Sequence, residues 1–139
     1  MKTEKSDKYM DILEKLACSV EPAGNAKISA CIVYKNSIVS FGHNQLKSHP
    51  FQLKYGRNSE SIFMHAETSA IYNALKFLTP EEFKKSTLYI CRVKKIKGEY
   101  CWGLSMPCEG CARAIVSFGI KNVYYSAEGK VIRSLLAAA

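Results

Sequence analysis

Four side chains in this sequence have the types and spacing of a metal site. They are His65 and Glu67 in His65-Ala66-Glu67, and Cys108 and Cys111 in Pro107-Cys108-Glu109-Gly110-Cys111. Zinc prefers four tetrahedral ligands, and a catalytic site takes three from protein and leaves the fourth position to water, whose pKa then falls toward neutrality. One imidazole and two thiolates supply those three positions and cancel the charge of the ion. Cys108 and Cys111 are three residues apart, so on a helix they share one face. Pro107 suits a first helical turn, where its missing N–H costs nothing. A helix N-terminus also favours thiolate over thiol. His65 falls near the start of an apolar-periodic segment, so the pattern brings two helix N-termini to one metal. Glu67 fits a proton carrier better than a fourth ligand: as a ligand it would close the coordination shell, whereas beside the metal it can accept a proton and pass it on.

Other readings use the same residues. A lone C-x-x-C near a βαβ pattern can be a redox pair of the thioredoxin type. A structural zinc site would need a fourth ligand, which Cys101 could provide. A lone histidine in an apolar stretch is ordinarily a core or capping residue. The presence of both halves in order, each in a suitable local context, favours the catalytic-zinc reading.

The 139 residues predict a single domain over 1–139, and 47% hydrophobic residues are enough for a core. No apolar run reaches membrane-spanning length, and residues 1–7 lack the apolar core of a secretory signal. Six cysteines in a chain of this size do not read as a disulfide scaffold; Cys18, Cys31 and Cys91 lie in apolar segments and read as small core residues. The expected setting is reducing and cytoplasmic. The formal charge of +8 suits an anionic partner, a nucleotide or a polynucleotide. The cluster Arg92, Lys94, Lys95 and Lys97 is either a solvated face or part of that recognition.

Hydrophobic periodicity predicts a first amphipathic helix over 7–17, ended by Pro22 and Gly24. A buried strand over 27–34, a turn at Lys35-Asn36-Ser37 and a returning strand over 38–42 form a hairpin. A long polar loop follows to about residue 60, then a helix over 62–78 and a short helical turn capped by Thr79 before Pro80. A strand over 87–93, a basic connection over 94–104, a helix over 108–118 with Gly119 at its C′ position, a strand over 122–126 and a final helix over 130–136 complete the reading. Alternating elements after a hairpin imply an α/β protein, a three-layer α/β/α sandwich with a mixed central sheet.

These residues resemble the cytidine/deoxycytidylate deaminase superfamily, whose zinc signature is H-x-E followed by P-C-x-x-C. The resemblance covers residues 27–126. His65-Ala66-Glu67-Thr68-Ser69-Ala70-Ile71 is similar to the H-A-E-x-N-A-I stretch of the deoxycytidylate deaminases, with Ser69 in place of Asn. Phe41-Gly42-His43-Asn44-Gln45 is similar to the family's G-Y-N-G strand end, which gives Asn44 a contact to the substrate sugar. The resemblance further implies that the Ala66 N–H meets the base carbonyl and the Ser105 carbonyl meets the exocyclic amine, with Trp102 as a wall for the base. It implies a fifth strand after the last helix, for which the elements read above leave no segment. Twenty residues separate Asn44 from His65, a gap closer to deoxycytidylate deaminases than to free-nucleoside or tRNA-adenosine deaminases. That loop carries Lys47, His49, Lys54, Tyr55 and Arg57, residues suited to a 5′-phosphate.

The expected activity is therefore zinc-dependent hydrolytic deamination of a cytosine nucleotide, foremost dCMP, to the uracil nucleotide with release of ammonia. The family resemblance also implies a homo-oligomer. One alternative is a cytosine deaminase acting on single-stranded DNA or RNA, although Leu104-Ser105-Met106-Pro107-Cys108 departs from the S-W-S-P-C form of APOBEC-type enzymes. The other is a non-catalytic zinc-stabilised binding module, which would have no use for Glu67.

Overall fold

Strand β1 (Lys27–Tyr34) organises the molecule because its residues alternate between two apolar surfaces. In the computed structural model, which describes residues 4–19, 27–45, 49–55 and 64–135, Ala30 and Ile32 enter one core while Cys31 and Val33 enter another. β1 pairs antiparallel with β2 (Ser37–His43) on one edge and with β3 (Thr87–Ile96) on the other. β3 pairs in parallel with β5 (Asn122–Ala127), and β5 pairs antiparallel with β6 (Lys130–Leu135). The order is β2-β1-β3-β5-β6, with β4 (Glu99–Gly103) on β3 alone.

The helices fall on both faces. On one, α3 (Ala66–Ala74), α4 (Pro80–Lys84) and α5 (Glu109–Ser117) cover Ala30, Ile32, Leu88, Ile90 and Val123. On the other, α1 (Glu4–Ser19) inserts Tyr9, Met10, Leu13 and Ala17 against Cys31, Val33, Tyr89, Cys91 and Val93. This is the expected three-layer α/β/α arrangement on a mixed sheet. Cys31 and Cys91 are fully buried, and Cys18 packs at the margin of the α1-side core, as small apolar residues do. Among the described residues no helix is long and apolar enough to cross a membrane.

Several local expectations hold. Lys35 and Asn36 take the left-handed conformation (φ 51° and 63°) that a two-residue hairpin turn needs. Thr79 caps α4 in a reciprocal capping box with Glu82, and Gly119 has φ 79° beyond α5.

Others are corrected. The expected helix over 130–136 is strand β6. A tight turn at Glu128-Gly129, with Gly129 at φ 70°, sends the chain back along β5, so Val131 and Ile132 enter opposite cores. That strand is also the terminal one for which the sequence reading left no segment. The basic connection over 94–104 is a hairpin: β3 continues to Ile96, and Lys97 (φ 52°) with Gly98 (φ 84°) turns it into β4. The polar loop holds a short helix, α2 (Pro50–Tyr55). The helix over 62–78 is shorter in its described part, ending at Ala74 with Leu75 as its C-cap. Pro22 and Gly24 lie outside the described residues.

Candidate active site

α3 and α5 pack against each other, and each begins at a candidate ligand: His65 is the N-cap of α3, and Cys108 is the N-cap of α5. β2 and β3 are parallel, both being antiparallel to β1, and α3 and α5 run back over them. Both helix N-termini therefore reach the same end of the sheet. Cys108 Sγ accepts from the Cys111 N–H at 3.5 Å, a thiolate-favouring contact at a helix start.

The imidazole and the two sulfurs converge. His65 Nδ1 lies 3.2 Å from Cys111 Sγ and 3.4 Å from Cys108 Sγ, and the three ligand atoms lie within 4.8 Å of one another. Zinc bond lengths place tetrahedral N and S ligands about 3.5–3.8 Å apart, so the set fits zinc in both geometry and donor type. Among the described residues no fourth His, Cys or carboxylate joins the group. Cys101 instead donates to the Lys94 carbonyl at 3.6 Å, within the β3–β4 hairpin.

Glu67 is the second residue of α3, in its first turn, and is 6% exposed. Burial pushes its carboxyl up to about 6, against the opposing pull of the neighbouring imidazole. In the cysteine pair, a hydrogen bond from Cys111 holds Cys108 down at about 3, and the same contact together with burial raises Cys111. The pair thus favours a thiolate at Cys108 beside a thiol at Cys111, and binding of a cation would release that thiol proton.

The floor of the site comes from a close approach of helix to strand. A Cβ at Gly42 would lie 2.3 Å from Ala70 N and 2.4 Å from Ala66 O, so β2 and α3 touch backbone to backbone. Ser40 Oγ donates to Ala70 O at 2.7 Å and Asn73 Nδ2 to Phe41 O at 2.8 Å, fixing the helix to that strand. Two residues past Gly42, just beyond β2, Asn44 is buried; its N–H donates to Ile28 O at 3.2 Å and its Oδ1 accepts from Ile28 N–H at 2.9 Å. Ala66 is buried at the first position of α3, where an N–H has no partner within the helix. Ser105 is buried too. Its Oγ donates toward the Ile90 carbonyl at 3.2 Å and accepts from Ser126 N–H at 2.9 Å, tying the segment before Pro107 to β3 and β5.

Trp102 is not brought to this site. It points to the α1 side of the sheet, where it packs with Tyr9 and Leu13 and its indole Nε1 donates to Glu14 Oε1 at 2.7 Å. The lone tryptophan is buried structure. Of the loop cations, Lys54 lies exposed on α2 beside its own neighbour Tyr55, while Lys47 and Arg57 lie outside the described residues. His49 stands at the start of α2: its Nδ1 accepts from Phe51 N–H at 3.1 Å and its ring stands edge-on to Tyr72 at 4.4 Å. Tyr55 joins α2 to α5 through Ser117 and through the Arg113 guanidinium.

Sequence reasoning missed Gln52. It is fully buried, and its Oε1 accepts from His65 N–H at 3.2 Å and from the Thr68 hydroxyl. A helix of six residues gives too little periodicity to expose such an inward position. Gln52→Met takes the Oε1 acceptor away from the part-buried His65 N–H and from the Thr68 hydroxyl. The expected loss is about 1–3 kcal/mol, read as a lower thermal midpoint together with weaker zinc retention against a competing chelator. An unchanged midpoint and zinc affinity would show that this amide holds nothing.

The family model for the cytidine and deoxycytidylate deaminase zinc-binding region matches residues 3–127. The chain belongs to this family of zinc-dependent deaminases. Its fold is similar to the dCMP deaminase of cyanophage S-TIM5 in apo form, at 24% identity over 93% of this chain and 87% of that one, with a TM-score of 0.62. The same phage enzyme in complex with dCMP and dUMP gives 22% identity over 90% and 82%, with a TM-score of 0.58. A cytidine deaminase from Burkholderia pseudomallei gives 17% identity over 94% and 91%, with a TM-score of 0.62. A comparison with curated proteins found no match.

Proposed function

We propose that this protein hydrolytically deaminates a free cytosine nucleotide, foremost dCMP, to the uracil nucleotide and ammonia. The observation that carries the reading is the convergence of His65, Cys108 and Cys111 with a buried Glu67 beside them that is not part of the group. A zinc ion held by His65, Cys108 and Cys111 would supply Lewis-acid activation of water. The protein's own groups do the rest. Glu67 carries a proton from the attacking water to N3 of the base, then a second proton to the departing amine; a carboxyl held near 6 can do both at neutral pH. The Ala66 N–H donates to the base carbonyl. The Ser105 carbonyl accepts from the exocyclic amine, so an oxo base would leave that acceptor unmatched and be rejected. Asn44, whose Oδ1 accepts from Ile28 N–H, would contact the sugar. Support for a mononucleotide comes from the similar phage enzyme, which has been solved with dCMP and dUMP.

Incubation of zinc-loaded protein with cytidine, deoxycytidine, CMP, dCMP and a cytosine-containing single-stranded oligonucleotide tests the reading. Turnover of monophosphate above nucleoside is the expected result. Turnover restricted to the oligonucleotide, with binding that falls steeply in salt, would replace it by the nucleic-acid reading, with which the net charge of +8 is equally compatible. Absence of turnover on every substrate would leave a zinc-stabilised binding module.

A further inference from the structure

The face of the sheet that carries α1 holds a second cavity, at the end away from the candidate metal site. Strand register builds it. Tyr89 pairs with Tyr124 across β3 and β5, and Tyr124 with Arg133 across β5 and β6. Paired residues share a face, and Tyr89 belongs to the α1-side core. In the next row, Thr87 pairs with Val33 on one side and Asn122 on the other. At this end Lys35 and Asn36 turn β1 into β2, and Lys85, the C-cap of α4, leads into β3. The metal-site helices meet the sheet elsewhere. Gly42 touches α3 and stands opposite Ala30, three residues or about 10 Å along β1 from Val33, and α3 and α5 cover the other face. The cavity measures about 330 Å³, at the small end of the range for small-molecule pockets.

Its lining is rich in donors and poor in acceptors. Lys35, Lys85 and Arg133 contribute three cations, and no Asp or Glu among the described residues lines it. None of the three forms an ion pair among the described residues, whereas Lys94 elsewhere pairs with Glu128 at 2.9 Å. Arg133 Nη2 donates to Asn122 Oδ1 at 2.9 Å, a neutral partner that leaves its charge uncompensated. Tyr89 is 6% exposed, with its ring centroid 4.8 Å from that of Tyr9 and 5.0 Å from that of Tyr124, the last pair stacked within 9°. The Tyr9 hydroxyl donates to the Asn36 carbonyl at 3.1 Å. The hydroxyls of Tyr89 and Tyr124 have no hydrogen bond among the described residues, although both residues line the cavity. Burial pushes Tyr89 up to about 12, so at neutral pH its phenol keeps the proton for an acceptor. A buried polar group ordinarily has a partner, and clustered like charges raise the local potential. An oxygen-rich anion answers both conditions. Two phenols and three cations exceed what one carboxylate can accept, while a phosphate group offers three strong acceptor oxygens and up to two charges.

We propose that this cavity binds a small phosphate-bearing molecule, with Tyr89, Tyr124, Lys85 and Arg133 as its donors. The site is separate from the candidate metal centre and stands whether or not the chain deaminates a nucleotide. The zinc-loaded full chain is titrated calorimetrically with inorganic phosphate and with fructose bisphosphate, and melted with each. Sodium chloride at equal ionic strength is the blank for screening. A ligand of the folded state raises the thermal midpoint, so at least one anion should raise it beyond the blank. Tyr89→Phe should leave the anion-free midpoint within about 2 °C, because the hydroxyl holds nothing in the fold. It should weaken the tighter anion about 10-fold, as should Arg133→Met, each removing one charge-assisted contact. Lys76→Met removes an exposed lysine just past α3, on the opposite layer, and should change binding less than about twofold. Tighter binding of the bisphosphate makes the ligand a phosphorylated metabolite, and equal or tighter binding of phosphate makes it the free ion; either upholds the site. Three results overturn it: no binding beyond the blank, equal weakening by R133M and K76M, or binding that neither Y89F nor R133M alters, as anion capture at the metal centre would give. If Y89F does not fold, R133M against K76M decides.

Discussion

Glu67→Gln is expected to keep zinc at one equivalent per chain while lowering turnover by about 10²–10⁴-fold, the range for a positioned proton-transfer group. The three converging donors are His65, Cys108 and Cys111, and the carboxylate is not among them, so the metal should stay. Glutamine preserves the shape of a side chain that is 6% exposed, so the fold should stay as well. What is lost is a carboxyl that burial holds near 6, able to accept and donate at neutral pH. Metal analysis and steady-state kinetics on one preparation check both halves. Full activity in the variant would remove Glu67 from the mechanism. Loss of zinc would show that the carboxylate acts as a ligand.

Gly42→Val is expected to cost about 3 kcal/mol or more, the upper end of overpacking effects, and to lower the thermal midpoint by roughly 10 °C. The reason is that the obstructing atoms are Ala70 N and Ala66 O, backbone atoms that no rotamer change can move. The helix must lift from β2, and it begins at His65 and carries Glu67. Zinc affinity should fall with stability, which separates this variant from E67Q. Thermal unfolding with and without added zinc gives the answer; a midpoint within 2 °C of wild type, roughly the smallest shift 1 kcal/mol would give, would mean that strand and helix do not need this contact.

The candidate metal site was legible because its parts are local. Each half is a short motif at a helix start, and helix geometry does the rest, so His65, Cys108 and Cys111 were named from spacing and then found within 4.8 Å of one another. The two-faced sheet was legible from the apolar runs of β1 and β3. What escaped was set by backbone conformations that the sequence marks weakly. Lys97 adopts a left-handed φ that lysine rarely takes, so Lys97-Gly98 did not read as a hairpin turn and β4 was taken for a connection. Val131, Ile132 and Leu135 fit a helical stripe as well as a strand, and the turn at Glu128-Gly129 decided between them. The resemblance offered Trp102 as a wall for the base, and the sequence did not show otherwise: without β4, its partner Val93 and the face they share were hidden. Gln52 owes its place to long-range pairing, which no local window contains.

The hydrogen bond from Trp102 to Glu14 has a practical consequence. The chain has a single tryptophan, and it is seated under the first helix, across the sheet from the metal. Its ultraviolet emission is therefore a built-in optical reporter of whether α1 is docked. It would register detachment of that helix as a red shift, while ligands arriving at the opposite layer would leave the colour unchanged.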